Sequence, residues 1–137
     1  MSFVLDSSVA LSWCFPDENG PQARDLLQQA SSQIILVPSL WHIETTNVLG
    51  LAFRKRRLND AELETALRVL SLLAVHTDTL SPTPAALLIL MQDYELTAYD
   101  ALYLELAMRR QLPLATFDRS LAAAAKRAAV PLIVQPE

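Results

Sequence analysis

Short apolar runs alternate along the chain with longer stretches in which apolar residues recur every three to four positions. The short runs read as buried strands and the longer ones as helices with one covered face. On this pattern, strands are predicted at 3–5, 34–37, 74–76, 114–116 and 132–134. Helices are predicted from Val9, over 22–30 behind Pro21, from Ser39 to about Arg57, and from Asn59 to about Leu73. Others open at Pro82 and Pro84 and run to Tyr94, from Thr97 to Arg110, and over 120–128. Asn59 followed by Glu62 is an Asn-x-x-Glu capping signature, and proline is favoured in a first helical turn. Strands that alternate with helices imply a parallel sheet covered on both faces, an α/β architecture. Such a sheet binds ligands beyond the carboxyl ends of its strands.

Two carboxylates fall at that edge. Asp6 directly follows the first strand, and Asp118 follows the strand that begins at Leu114. Aspartate is also a common turn and cap residue, so neither is decisive alone. Glu44 and Asp100 are harder to account for. Leu40, Val48 and Leu51 lie four before, four after and seven after Glu44, which places it within an apolar stripe. Leu96, Leu104 and Ala107 stand in the same relation to Asp100. A carboxylate on an inward face is costly unless it is paired, hydrogen-bonded or bound to a metal. A helix dipole favours an acid in the first turn but does not choose the face. Grouped carboxylates repel one another unless a cation neutralises them, so one shared cation site explains all four. Ligands that are all oxygen favour Mg²⁺, with Mn²⁺ as a substitute, over zinc.

Around these acids, Ser7 and Ser8 follow Asp6, Thr116 shares a side of the strand with Asp118, and Asn47 lies one turn beyond Glu44. Each is a candidate to hold a carboxylate or a bound water in place. His42 and His76, the only histidines, read as structural or surface residues.

Composition sharpens the picture by exclusion. The 137 residues suit one domain, 1–137, and 52% apolar content argues against disorder. The single cysteine, Cys14, rules out an internal disulfide and a paired-cysteine zinc site. Two glycines leave no Gly-rich phosphate loop. No signal peptide or membrane span is visible, so a soluble, cytoplasmic protein is expected. The net charge of −4 is unusual for a nucleic-acid binder, although cations held by the acids would reverse the local sign.

Taken together, the residues resemble the PIN-domain family, and within it the VapC toxins of type II toxin–antitoxin pairs. The resemblance rests on VLDSSV at the N-terminus, Glu44 in WHIETTNVL, Asp100 in TAYDALYLELA, and TFD at positions 116–118. It runs end to end. It implies a three-layer α/β/α sandwich with a central parallel sheet of four to five strands. It also implies a Mg²⁺- or Mn²⁺-dependent endoribonuclease with Asp6, Glu44, Asp100 and Asp118 as catalytic metal ligands, a homodimer, and a cognate antitoxin. RNA, possibly tRNA or another structured RNA, would be the substrate.

Positive charge near the acids is needed for that substrate. Arg119, next to Asp118, is the best single candidate. Arg54, Lys55, Arg56 and Arg57 end the Glu44 helix, and Arg109 and Arg110 end the Asp100 helix, where cations are favoured by the dipole in any case. Trp13, Phe15 and Trp41 read as core or as anchors for a partner. The apolar helices around 51–53 and 63–73 read as a possible dimer face. Competing readings are a phospho-acceptor module with Asp78 as acceptor, an aspartyl phosphatase, and a PIN-like fold that binds RNA or protein without cutting. A processing nuclease with no antitoxin is a further alternative. The acceptor module lacks a lysine after the strand at 114, and the phosphatase lacks a second aspartate at Ser8.

Overall fold

The computed structural model describes residues 1–137. Five short runs, apolar except for the edge strand Val-His-Thr-Asp, pair into one wholly parallel sheet in the order β3-β2-β1-β4-β5. They are β1 (Ser2–Leu5), β2 (Ile34–Pro38), β3 (Val75–Asp78), β4 (Leu114–Ala115) and β5 (Leu132–Val134). β1 is central, and Phe3, Val4 and Leu5 have no solvent exposure. A strand covered on both faces reads as an uninterrupted apolar run, which is why VL here precedes the first carboxylate without alternation.

Seven helices connect these strands: α1 (Ser7–Ser12), α2 (Pro21–Ala30), α3 (Leu40–Arg54), α4 (Asp60–Leu72), α5 (Pro84–Tyr94), α6 (Ala98–Arg110) and α7 (Arg119–Arg127). From β1 the chain winds outward through β2 to the edge at β3, then crosses back to β4 and winds the other way to β5. Right-handed crossovers put the helices of the two halves on opposite faces. The packing agrees: α1 touches α3 and α3 touches α4 in one set, while α6 touches α5 and α7 in the other. Most of the buried core lies between the layers, with Tyr103, Leu104 and Leu106 of α6 against Phe3, Val4 and Leu5 of β1 in one cluster. A smaller cluster joins Leu11, Cys14 and Phe15 to Leu49 and Ala52 of α3 and Ala66 of α4.

The expected elements all form, with shifted ends. Asn59 caps α4 through the reciprocal box the spacing predicts. Its side chain accepts from the Glu62 amide at 2.8 Å, and the Glu62 carboxylate accepts from the Asn59 amide at 3.0 Å. Asn59→Ala removes one half of that box on a helix with a single buried residue, Ala66. The loss of stability should be about 1 kcal/mol in urea unfolding. An unchanged midpoint would show that the box contributes nothing. Thr83, not a proline, caps α5, and Pro84 takes the first turn. Ser39 makes no cap hydrogen bond, and α3 starts at Leu40. α3 stops at Arg54 because Arg56 turns left-handed at φ 60°. Glu95, Gln111 and Ala129 end α5, α6 and α7 in the same conformation, at φ 55°, 54° and 58°. Glycine would adopt these angles without strain.

Strand β3 extends to Asp78, two residues past the predicted end. Trp13, Phe15 and Trp41 are core residues, at most 7% exposed. The indole N–H of Trp13 donates to the Ala23 carbonyl at 2.7 Å. No helix is long and apolar enough to cross a membrane. Apolar surface remains outside: Ile43, Leu51 and Phe53 on α3, Leu67 and Leu72 on α4, and Leu88 and Ile89 on α5, none of whose residues is buried.

Candidate active site at the reversal of the sheet

In an open α/β sheet, the direction of winding reverses at one point, and there the loops leaving adjacent strands diverge to leave a crevice. Here the reversal lies between β1 and β4. Asp6 is the first residue after β1, and Thr116, Phe117 and Asp118 leave β4 beside it. The two strand-end carboxylates therefore border the crevice because of the topology. Asp118 also caps α7, its Oδ1 accepting from the Leu121 amide at 2.8 Å.

Asp6 is the most deeply set, at 3% exposure. Its Oδ2 accepts two hydroxyl donors, Ser8 Oγ at 2.5 Å and Thr116 Oγ1 at 2.7 Å. The same hydroxyls are in turn hydrogen-bonded to the β4 loop. The Phe117 amide donates to Ser8 Oγ at 2.9 Å, and the Asp118 amide donates to Thr116 Oγ1 at 3.0 Å. One network thus ties the end of β1 to the end of β4.

α6 brings in Asp100 at its first turn, behind the cap Thr97, which accepts from the Asp100 amide at 3.2 Å. The stripe predicted around it is buried: Leu96, Leu104 and Ala107 are 6%, 0% and 1% exposed. Glu44 reaches the site by a different route from the one its spacing suggests. The buried face of α3 is Trp41, Thr45, Leu49 and Ala52, while Val48 and Leu51 are exposed. The apolar positions four and seven beyond Glu44 thus lie on the outer flank of the helix. Glu44 is half-buried at the margin of the inner face, in the second turn and outside the reach of the first-turn dipole argument. What holds it is Tyr103, which sequence reasoning missed. Tyr103 is fully buried on α6, and its hydroxyl donates to Glu44 Oε1 at 2.5 Å. The available signal was a tyrosine three residues after Asp100 on the same inward stripe, since a buried phenol needs a hydrogen-bond partner.

The electrostatics show that the four acids face one another. Asp100 is pushed up to about 7, first by burial, then by the charges of Asp118, Asp6 and Glu44. Asp6 is pushed up to about 6, mainly by burial and partly by Glu44 and Asp118, against the pull of Ser8 and Thr116. Burial, the Asp6 charge and the bond to Glu44 hold Tyr103 well above the ordinary phenol range, so its hydroxyl remains a donor; Ser7 opposes that rise. None of the chain's ion pairs involves these four acids. Nor do they form a preassembled metal cluster: no three acidic, histidine or cysteine side chains are drawn together closely enough to hold an ion as they stand. An all-oxygen donor set with no ion-pair partner fits a hard divalent cation.

The other candidates separate cleanly. Ser8, rather than Ser7, bonds Asp6. Asn47 is exposed and has no hydrogen bond to Glu44. Arg119 is exposed at the start of α7, beside Asp118 and free of ion pairs. Arg109 is occupied: it pairs with Glu105 at 2.6 Å and grips Asp78 through two nitrogens at 3.0 and 3.1 Å. Arg57 pairs with Asp17 and Glu18 and lies over the Phe15 ring. Arg109 holds the Asp78 carboxyl below its ordinary range, and Asp78 ends an edge strand away from the crevice, so it is no phospho-acceptor. His42 is tied to Thr77 at 2.8 Å, and His76 is exposed.

Comparison with known proteins agrees with this fold. A family profile described as PIN domain matches residues 3–127. Among solved structures, a crystal structure of a Pyrobaculum aerophilum protein is similar at TM-score 0.67 and 24% identity, over 99% of this chain and 83% of that one. A toxin–antitoxin complex from Klebsiella pneumoniae is similar at TM-score 0.54 and 18% identity, covering 85% and 86%. VapBC2 from Rickettsia felis, bound to a DNA fragment from its promoter, is similar at TM-score 0.60 and 13% identity, covering 100% and 98%. A search of curated proteins gave no match.

Proposed function

The chain belongs to the PIN domain family, and from that premise we propose that it is a Mg²⁺- or Mn²⁺-dependent endoribonuclease and the toxin of a toxin–antitoxin pair. The observation that carries the reading is the grouping of four carboxylates, whose charges help raise the proton affinity of Asp6 and Asp100, with no ion-pair partner for any of them. Asp6, Glu44 and Asp100 would hold the cation, with Asp118 completing the site. The bound ion would supply Lewis acidity, lowering the pKa of a water and offsetting charge on the phosphoryl oxygens.

The chain's own residues do the rest. Ser8 and Thr116 fix the Asp6 carboxylate, and their links to the β4 loop hold Asp118 at a set distance from it. Tyr103 fixes Glu44. Arg119 stands free beside the acids to meet a phosphate of the substrate backbone. Attack on phosphorus by water, and not by the 2′-hydroxyl, displaces the 3′-oxygen. The products then carry 5′-phosphate and 3′-hydroxyl ends.

The antitoxin assignment is supported by the fold shared with the two toxin–antitoxin structures. The exposed apolar residues of α3, α4 and α5 are the surfaces we assign to a second copy and to the antitoxin. A cytoplasmic location follows from an RNA substrate. Purified protein incubated with total RNA should cut it with Mg²⁺ or Mn²⁺ and leave it intact with EDTA. Cleavage that survives EDTA, or cyclic phosphate ends, would remove this mechanism. RNA bound but never cut under any of these conditions would favour the non-cutting reading.

A further inference from the structure

Three of the four acids carry a hydrogen-bond donor on one carboxylate oxygen. Asp6 Oδ2 is taken by Ser8 and Thr116, Glu44 Oε1 by Tyr103, and Asp118 Oδ1 by the Leu121 amide. Each of these presents one unbonded carboxylate oxygen. Asp100 alone has no hydrogen bond to either of its side-chain oxygens.

Divalent cations differ in what they ask of a carboxylate. Mg²⁺ is small, keeps near-octahedral geometry at about 2.0–2.1 Å and takes carboxylate oxygens singly, with waters for the remainder. Ca²⁺ accepts six to eight oxygens at about 2.3–2.6 Å and readily takes both oxygens of one carboxylate. A donor on one oxygen favours coordination through the other, and so biases a carboxylate against the two-oxygen mode that suits the larger ion. Hydroxyl donors at Asp6 come from α1 and from the segment that leaves β4. The donor at Glu44 comes from another helix, so it sets the distance between α3 and α6 as well as the rotation of the carboxylate.

We propose that Tyr103 is a positioning residue which, by holding Glu44 Oε1, makes Glu44 a one-oxygen ligand and biases the site toward Mg²⁺ and Mn²⁺ over Ca²⁺. The proposal rests on the cation reading of the site. Tyr103 never touches the ion or the RNA. It acts only through Glu44, and the full burial of its ring leaves the hydroxyl no competing water.

The test is calorimetric titration of Mg²⁺ and of Ca²⁺ into wild-type protein and Tyr103→Phe, without RNA. Loss of an outer hydrogen bond to a ligand typically weakens metal binding on the order of 10–100-fold. In the variant, Mg²⁺ affinity should fall about tenfold or more while Ca²⁺ affinity falls less or rises, so the ratio moves toward Ca²⁺. A merely structural role would weaken both ions alike, and an unchanged ratio would overturn the proposal. Wild-type protein that binds neither ion would overturn the cation reading itself, an outcome separate from the last. A crystal structure of the wild-type protein with Mn²⁺ decides the matter even if the variant does not fold. The ion should contact Glu44 through Oε2 alone with the Tyr103 hydroxyl still on Oε1. Both Glu44 oxygens on the ion would defeat the proposal.

Discussion

Asp100→Asn should abolish RNA cleavage while making the metal-free protein more stable. The Asp100 carboxyl is raised further than that of Asp6, and it is the one with no donor to either oxygen. At pH 8 it is ionised against burial and three like charges. Asparagine keeps the shape, ends the repulsion and removes a cation ligand. Groups that act as a unit lose nearly all their effect when one is removed, so cleavage should fall on the order of a thousandfold or more. The relief of repulsion should add about 1 kcal/mol, which for a chain of this size raises Tm by about 4 °C. Labelled RNA and a thermal scan without divalent ions check the two halves. An inactive variant that also melts lower would mean that Asp100 has a structural role, and an active one would remove it from the ligand set.

The second large effect is on pH dependence. Asp6 and Asp100 have folded pKa values of about 6 and about 7 against a reference of 3.8. A carboxyl raised by folding holds its proton more tightly in the native state. Its contribution to stability is complete below about 4 and is lost as pH rises through about 6 for Asp6 and about 7 for Asp100. Metal-free protein should therefore unfold more readily at pH 8 than at pH 5.5. For Asp6, 3% exposed, the rise corresponds to about 3 kcal/mol, most of it lost below pH 5.5, so the difference between pH 5.5 and 8 comes mainly from Asp100. Mg²⁺ at pH 8 should restore stability, by about 2.7 kcal/mol at one hundred times its dissociation constant. Urea unfolding at the two pH values, with and without Mg²⁺, measures this. Stability that rises from pH 5.5 to 8 without metal would show that the acids do not face one another as described.

Which parts of this site were readable depended on how local their cause is. The positions of Asp6 and Asp118 follow from two strand ends, each set by its own apolar run, and the sheet order then brings them together. Asp100 was legible because Leu96, Leu104 and Ala107 lie on one buried stripe of a helix whose cap is its own neighbour, Thr97. Glu44 was found with a mistaken reason. α3 carries apolar residues on two sides, and spacing alone does not say whether Trp41–Leu49 or Val48–Leu51 faces the sheet. The bulkier, tryptophan-bearing side is the inner one. Tyr103 went unread as a site residue because its partner is chosen by tertiary approach: Glu44 lies 59 positions away. Ser8 was a candidate beside Ser7, but its link to the Phe117 amide, 109 positions on, was not legible. Exposed apolar residues on α5 were equally unreadable, since a helix of PAALLILM composition looks buried until its neighbours are placed.

The sheet order has a consequence for how the protein comes into being. β4, which carries Thr116 and Asp118 to Asp6, is flanked by β1, the first strand of the chain, and by β5, the last. A nascent chain that has already folded β1 to β3 holds Asp6 and Glu44 but no partner for the exposed side of β1. Pairing of such distant segments is slow to nucleate. The four acids are then brought together only when β4 docks against β1. The activity proposed above would then be absent from a chain whose β4 has not yet docked.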